Sequence, residues 1–91
     1  SLVEYEDKAM MALNRLQNVV LGCKGGSATL KKAVVADDFN ALLSKTWVFK
    51  ESLDYWVFKK CFTPEMDLHL EDIQDAIRGY FRQKSKTFFT P

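Results

Sequence analysis

Apolar residues in the first twenty positions recur at helical spacing. Steps of three, four or seven residues separate five of them, which are Val3, Met10, Leu13, Leu16 and Val20. Such steps place side chains on one face of an α-helix. Gly22 and the glycines that follow it are typical of the end of a helix. The pattern therefore predicts a first helix from Val3 to Leu21.

Two shorter apolar segments follow, and each has a residue that can cap a helix. Ser27 or Thr29 stands at the start of the segment 29–36, which we expect to form a short helix. Asp37 or Asp38 can cap a third helix that continues through Lys45. The buried side of this third helix is predicted to consist of Phe39, Leu42 and Leu43.

The tetrapeptide Trp-Val-Phe-Lys occurs twice, at 47–50 and at 56–59. A continuous helix through both copies would be apolar on nearly all sides. Two strands of a hairpin are the alternative, because Trp, Val and Phe favour strands. The intervening residues 51–54 lack the Gly, Pro or Asn that short hairpins usually contain. We therefore predict a helix across 47–59, with the hairpin as the alternative.

The last helix has the clearest start of all. Thr63 can cap it, Pro64 suits the first helical position, and Glu65 suits the positive end of the helix dipole. One apolar stripe runs along it, consisting of Met66, Leu70, Ile73, Ile77 and Phe81. Acidic residues fill its first half and basic residues follow, which is the order that the helix dipole favours.

These elements predict an all-α fold, a small bundle of about four or five helices. Its alternative is an α+β fold with a short hairpin at 47–59. A chain of 91 residues supports one hydrophobic core, so we expect a single helical domain at 1–82 and a C-terminal extension at 83–91. Because the sequence begins at Ser1 rather than Met, we expect a domain of a larger protein.

Composition argues against some classes of partner and indicates a cellular compartment. Thirteen Lys and Arg against twelve Asp and Glu leave a net charge of +1, so no overall field attracts nucleic acid or a membrane surface. No apolar run approaches the roughly 20 residues of a membrane-spanning helix, and we expect no membrane partner. Only two cysteines are present, which favours a reducing intracellular compartment, either cytoplasm or nucleus. One disulfide between Cys23 and Cys61 is the alternative.

Catalytic and metal-binding patterns are weak. Cys61, His69 and Asp72 form the one conceivable nucleophile set, but nothing in their spacing brings them together. The acids at 67–75 lie where a helix start normally carries solvated carboxylates. Two cysteines and one histidine do not supply a zinc site. We predict no enzymatic activity, no cofactor and no metal site.

Aromatic residues concentrate after position 46, and a small bundle cannot bury all of them. Exposed aromatic side chains next to basic residues are typical of interfaces. We therefore predict a protein–protein interaction module that binds a partner helix, a peptide or a second copy. Its predicted partner-binding residues are Trp47, Tyr55, Trp56, Phe58, Lys59 and Lys60.

Nucleic-acid binding is the alternative function. It would use the basic residues near the C-terminus, which are Arg78, Arg82, Lys84 and Lys86. Basic side chains beside aromatic ones suit phosphate contacts and base stacking. The sequence pI of about 7.7 is low for a dedicated nucleic-acid binder, so we rank this function second.

Overall fold

The computed structural model describes residues 1–25 and 27–89, with side chains through Thr87. Five α-helices occur in this part of the chain, together with a short 3₁₀ turn at Thr46–Val48. The helices are α1 (Leu2–Gly22), α2 (Ala28–Ala33), α3 (Phe39–Leu43), α4 (Leu53–Lys59) and α5 (Pro64–Phe89). No strand occurs in 1–25 or 27–89, so the predicted all-α fold is confirmed and the hairpin alternative is wrong.

The two long helices, α1 and α5, pack against each other in antiparallel directions. Tyr5 near the start of α1 contacts Gly79, whereas Arg15 lies 3.6 Å from Asp72, one carboxylate oxygen to one guanidinium nitrogen. Their facing sides form most of the core, which contains Ala9, Ala12, Leu13, Leu16 and Val20 from α1 and Met66, Leu70, Ile73, Ala76, Ile77 and Tyr80 from α5. The faces that meet contain most residues of the predicted apolar stripes, but Val3, predicted as the first member of the α1 stripe, is 61% exposed.

Side chains cap the helices at most of the predicted positions. Asp38 accepts a hydrogen bond from the Ala41 amide at 2.8 Å, and Thr63 accepts one from Met66 at 3.3 Å. Ser27 caps α2. Helices α2 and α3 end before the predicted boundaries, at Ala33 and Leu43.

The prediction of a continuous helix across 47–59 is wrong. Residues 49–52 form a turn between the 3₁₀ segment and α4, and Ser52 holds it together. The single hydroxyl proton of Ser52 lies within hydrogen-bonding reach of two carbonyl oxygens, those of Thr46 and Phe49. The hydroxyl oxygen accepts a hydrogen bond from the Tyr55 amide at 3.0 Å. Serine bonds of this kind compete with the helical hydrogen bonds of the backbone and favour a helix start.

Side-chain hydrogen bonds hold the connecting segments against the long helices and against each other. The Gln74 amide on α5 donates to the Val48 carbonyl at 3.0 Å, and Gln17 on α1 donates to the Val34 carbonyl at 2.8 Å. The Trp47 indole donates to the Ala33 carbonyl at 2.8 Å. Each bond satisfies a carbonyl that lies outside regular helical pairing, where an unpaired buried group would be costly.

Helix α5 is continuous through Phe89, so residues 83–89 prolong this helix. Because Tyr5 lies opposite Gly79 and the helices are antiparallel, α1 begins opposite about residue 83. The last turns of α5 therefore extend past the start of α1. Residues 90 and 91 of the predicted extension lie outside the described residues, and the domain boundary at 82 stays a prediction. No helix in the described ranges is long and apolar enough to cross a bilayer.

We predict that Gly79→Ala destabilises the fold. A β-carbon at Gly79 would meet the Tyr5 ring, so the ring must move away from α5. Overpacking costs about 1–3 kcal/mol, which outweighs the gain of about 1 kcal/mol from better helix propensity. Urea unfolding should show a net loss of about 1 kcal/mol.

Gly22→Ala is the matched control, because a β-carbon there meets nothing within 4 Å. This variant should be as stable as the wild type or more stable. In a Tyr5→Ala background, Gly79→Ala should no longer lower the free energy of unfolding. A Gly79→Ala protein that is more stable than the wild type would contradict the proposed close packing of α1 on α5.

Candidate interaction surface

The structure divides the predicted partner-binding aromatics between core and surface. Trp47 and Tyr55 are each only 4% exposed, so the prediction that the surface displays them is wrong. Phe58 is half-buried, and its ring meets Trp47 edge to face with centroids 6.3 Å apart. Phe62 makes a similar contact with Trp47. These rings cover the core because residues 55 and 58 lie on the inner side of α4.

The outer side of α4 is apolar and exposed. Leu53 is 80% exposed, Trp56 58% and Val57 55%. Positions 53, 56 and 57 have the spacing of one helix face, and we call these three residues the α4 stripe. Trp56 stands edge to face against the buried Tyr55 ring, with centroids 5.1 Å apart and planes at 85°. The buried Tyr55 ring therefore packs against one side of the exposed Trp56 indole.

The two lysines at the end of α4 differ in their surroundings. Lys59 forms an ion pair with Asp67 at the start of α5, with 3.1 Å between Nζ and Oδ1. Hydrogen bonding with Asp67, together with the charge of that carboxylate, raises the pKa of Lys59 against an opposing effect of partial burial. Lys60 is exposed and pairs with no acid among the described residues. Of these two lysines, Lys60 is therefore the one whose ammonium is available beside the α4 stripe.

An acid lies at the other end of α4. Asp54 is exposed and accepts a hydrogen bond from the Thr46 hydroxyl, which holds the carboxylate near the first turn of the helix. The surface around the α4 stripe therefore carries a negative charge at its N-terminal end and a positive charge at its C-terminal end.

The basic residues of α5 do not all share one face. Arg78, Arg82 and Lys86 are exposed and four residues apart, a spacing that aligns them along the helix. Arg78 also pairs with Asp75 at 3.2 Å. Lys84 lies about half a turn from Arg82, and its ammonium sits over the Tyr80 ring at 5.6 Å from the centroid.

The residues considered for catalysis have other neighbours. Asp72 pairs with Arg15, and the Nε2 of His69 lies 3.9 Å from Glu65. Cys61 is an exposed free thiol. Across 1–25 and 27–89, no group of three or more His, Cys, Asp or Glu side chains is placed to hold a metal ion. The absence of enzymatic activity stays a prediction.

The structure also contains a groove that the sequence did not predict. It has a volume of about 250 Å³ and lies between residues 48–51 and helix α5, where Phe49, Ile77 and Phe81 provide apolar walls. Phe81 was predicted as the last member of the buried stripe, yet it is substantially exposed. The groove exists because the chain turns at 49–52, and residue spacing alone did not indicate that turn.

Comparison with known proteins gives no match: neither a family model, nor a curated protein, nor a solved structure is significantly similar to this chain.

We predict that the contribution of the Lys59–Asp67 pair to stability falls at alkaline pH. The folded-state pKa of Lys59 is raised above its ordinary value of 10.5, so folding favours the protonated amine. The stabilisation is fully present below that ordinary value and is lost as the pH rises through the folded-state pKa. Because the pair is partly exposed, Lys59→Met should cost less than about 1 kcal/mol at neutral pH.

Chemical unfolding of wild type and Lys59→Met at about pH 7 and about pH 11.5 measures this effect. The difference in the free energy of unfolding between wild type and Lys59→Met should be smaller at the higher pH. Lys50→Met is the control, because Lys50 is exposed and meets no acid among the described residues. A difference for Lys59→Met that stays constant across this range would contradict the role of its charge.

Proposed function

We propose that this protein is a non-enzymatic protein–protein interaction module that binds a partner helix, a peptide or a second copy through the α4 stripe. One observation carries the proposal: three apolar side chains on one face of α4 are more than half exposed, although the opposite face of the same helix is already packed. Burial of apolar area contributes about 25 cal/mol per Å², so covering these side chains is favourable.

The arrangement suits recognition of an apolar helix or peptide. Anchors at spacings of three and four residues are the pattern by which helices dock in partner surfaces. Trp56 is the expected main anchor, since Trp side chains dominate many interfaces and this indole already rests on Tyr55. Lys60 and Asp54 would orient the partner through charge, whereas Lys59 is engaged by Asp67.

The proposed location is the cytoplasm or the nucleus. Both cysteines are free thiols, and a reducing compartment preserves that state. The exposed Cys61 follows directly after Lys60, so its oxidation would alter the edge of the proposed interface.

Nucleic-acid binding is the second candidate function. Arg78, Arg82 and Lys86 lie in a row on an exposed face of α5, and this supports nucleic-acid binding, because a row of cationic side chains attracts phosphates. Titration of a labelled single-stranded oligonucleotide at several salt concentrations tests this candidate. Binding that weakens steeply with salt supports it, and unchanged anisotropy throughout the titration rejects it.

We predict that Trp56→Ser leaves the fold intact, whereas Trp47→Ser destabilises it strongly. Trp56 is largely exposed, whereas Trp47 fills the core and donates to the Ala33 carbonyl. Loss of a buried large aromatic side chain costs about 3–5 kcal/mol. Thermal unfolding by circular dichroism measures both effects. Equal melting temperatures for the two variants would contradict the assignment of Trp47 to the core and Trp56 to the surface.

A photo-crosslinking amino acid at Leu53 tests the proposed binding in cells. The matched control carries the same amino acid at Leu68, which is 62% exposed but lies on α5. We expect a discrete crosslinked protein at Leu53 that disappears when Trp56 is changed to Ser, and none at Leu68. Identical crosslinking at both positions, or none at Leu53, would argue against a specific protein interface on α4.

A further inference from the structure

We infer that the groove between residues 48–51 and α5 is a second docking site, separate from the α4 stripe, for an acidic peptide segment that carries one large apolar side chain. We call it the α5 groove, and its apolar walls are Phe49, Ile77 and Phe81. The inference depends on the size of the groove, on the charges at its rim and on an unused hydrogen-bond acceptor in its lining.

The size of the α5 groove suits one side chain. Its volume is about 250 Å³, whereas pockets for whole small molecules typically have about 300–1,000 Å³ and enclose most of the ligand. Phe81 in its wall is 45% exposed, so the groove is open to solvent. A peptide fits both conditions, because one apolar side chain can enter the groove while the rest of the peptide stays outside.

Cationic side chains surround the α5 groove. Lys50 is exposed and pairs with no acid in the described part of the chain. Arg78 uses one guanidinium nitrogen to pair with Asp75 at 3.2 Å, and the guanidinium has further N–H donors. Arg82 is exposed one turn beyond Arg78 on the same edge of α5. Lysine and arginine at such a rim are complementary to carboxylates of a peptide.

Negative charge near the α5 groove is confined to one side. Glu51 is the acid among the described lining residues, and Asp75 lies next to the groove as the partner of Arg78. From residue 76 to the end of the sequence there is no Asp or Glu, although Arg78 and Arg82 are followed by two lysines. Carboxylates that extend from the bound side chain along this part of α5 would therefore be attracted, whereas a cationic peptide would be repelled.

The lining also contains a hydrogen-bond acceptor that has no donor. Gln74 is only 8% exposed, and its Nε2 donates to the Val48 carbonyl at 3.0 Å. No described residue donates to its Oε1. The fully enclosed side-chain atoms without a partner belong to Asp67 and His69, so this oxygen is reached from the groove that Gln74 lines. A backbone N–H of a bound peptide can donate to it, whereas a phosphodiester group has no donor to offer.

Titration of the isotope-labelled protein with the peptide acetyl-Glu-Glu-Phe-Glu-Glu-amide tests the inference. One anchor and a few exposed ion pairs predict a dissociation constant on the order of 100 µM, so the titration must reach about 2 mM peptide. Amide chemical shifts in residues 48–51 and 74–81 should change with the peptide concentration, and those of 53–57 should not. No change at about 2 mM, or changes confined to 53–57, would overturn the inference.

Two altered peptides test the chemistry of recognition. Replacing the Phe by Ser removes the apolar anchor and should weaken binding at least about tenfold. Replacing the four Glu by Lys reverses the charge and should weaken it by at least about the same factor. If the Ser peptide binds as tightly as the original, the groove holds no apolar anchor. If the Lys peptide does so, the rim does not select acidic partners. Either result would overturn the inference.

Protein variants locate the site. Phe81→Ser should weaken binding of the acidic peptide at least about tenfold, and Lys50→Glu about fivefold. The matched controls are Leu68→Ser, at an exposed position elsewhere on α5, and Lys60→Glu, at an exposed lysine on α4, and both should bind like the wild type. Circular dichroism checks that Phe81→Ser folds, and the exposed Lys50 provides a test that does not depend on it. Equal effects of Lys50→Glu and Lys60→Glu would contradict the proposed location.

Two further measurements separate this inference from the functions proposed above. A thymidine oligonucleotide with the same number of negative charges should shift the amides of the α5 groove less than the peptide does, and tighter binding of the oligonucleotide there would overturn the inference in favour of nucleic acid. Trp56→Ser should bind the acidic peptide like the wild type even if it abolishes the crosslink at Leu53. Loss of peptide binding in a folded Trp56→Ser protein would overturn a separate site in the α5 groove.

Discussion

The antiparallel packing of α1 against α5 is the constraint on which the rest of this fold depends. Each helix has one apolar face, and the pair supplies most of the core, with Tyr5 packed directly against Gly79. Two helices cannot enclose those faces completely, so the chain between them must cover what remains exposed. Three side-chain hydrogen bonds to backbone carbonyls hold that covering segment, from Gln17, Trp47 and Gln74.

The candidate surface follows from the way in which this segment covers the core. Helix α4 covers the core as a single layer. Its inner side contributes Tyr55 and Phe58 to the packing around Trp47. Nothing in the described part of the chain lies over its outer side, where Trp56 and Val57 are exposed. The same short helix therefore completes the core on one face and presents apolar side chains on the other. The proposed function uses this second face.

Local sequence patterns predicted where helices begin better than they predicted which aromatic side chains are buried. Asp38 and Thr63 cap helices as expected, because capping depends on one side chain and an amide three residues away. The repeated tetrapeptide does not distinguish the two tryptophans, since the same three residues follow Trp47 and Trp56 but their environments are opposite. The signal that was missed is Ser52, whose hydroxyl organises the turn between the two copies.

The all-α class, the two long amphipathic helices and most of their caps could be predicted from the sequence, because they depend on periodicity and on contacts within one helical turn. Which aromatics are buried and which are exposed could not be predicted in this way. That choice depends on the direction in which α4 lies over the α1–α5 pair, and residues distant in sequence set this direction. Lys59 illustrates the difference: its charge is evident from the sequence, but its engagement by Asp67 arises only from the fold.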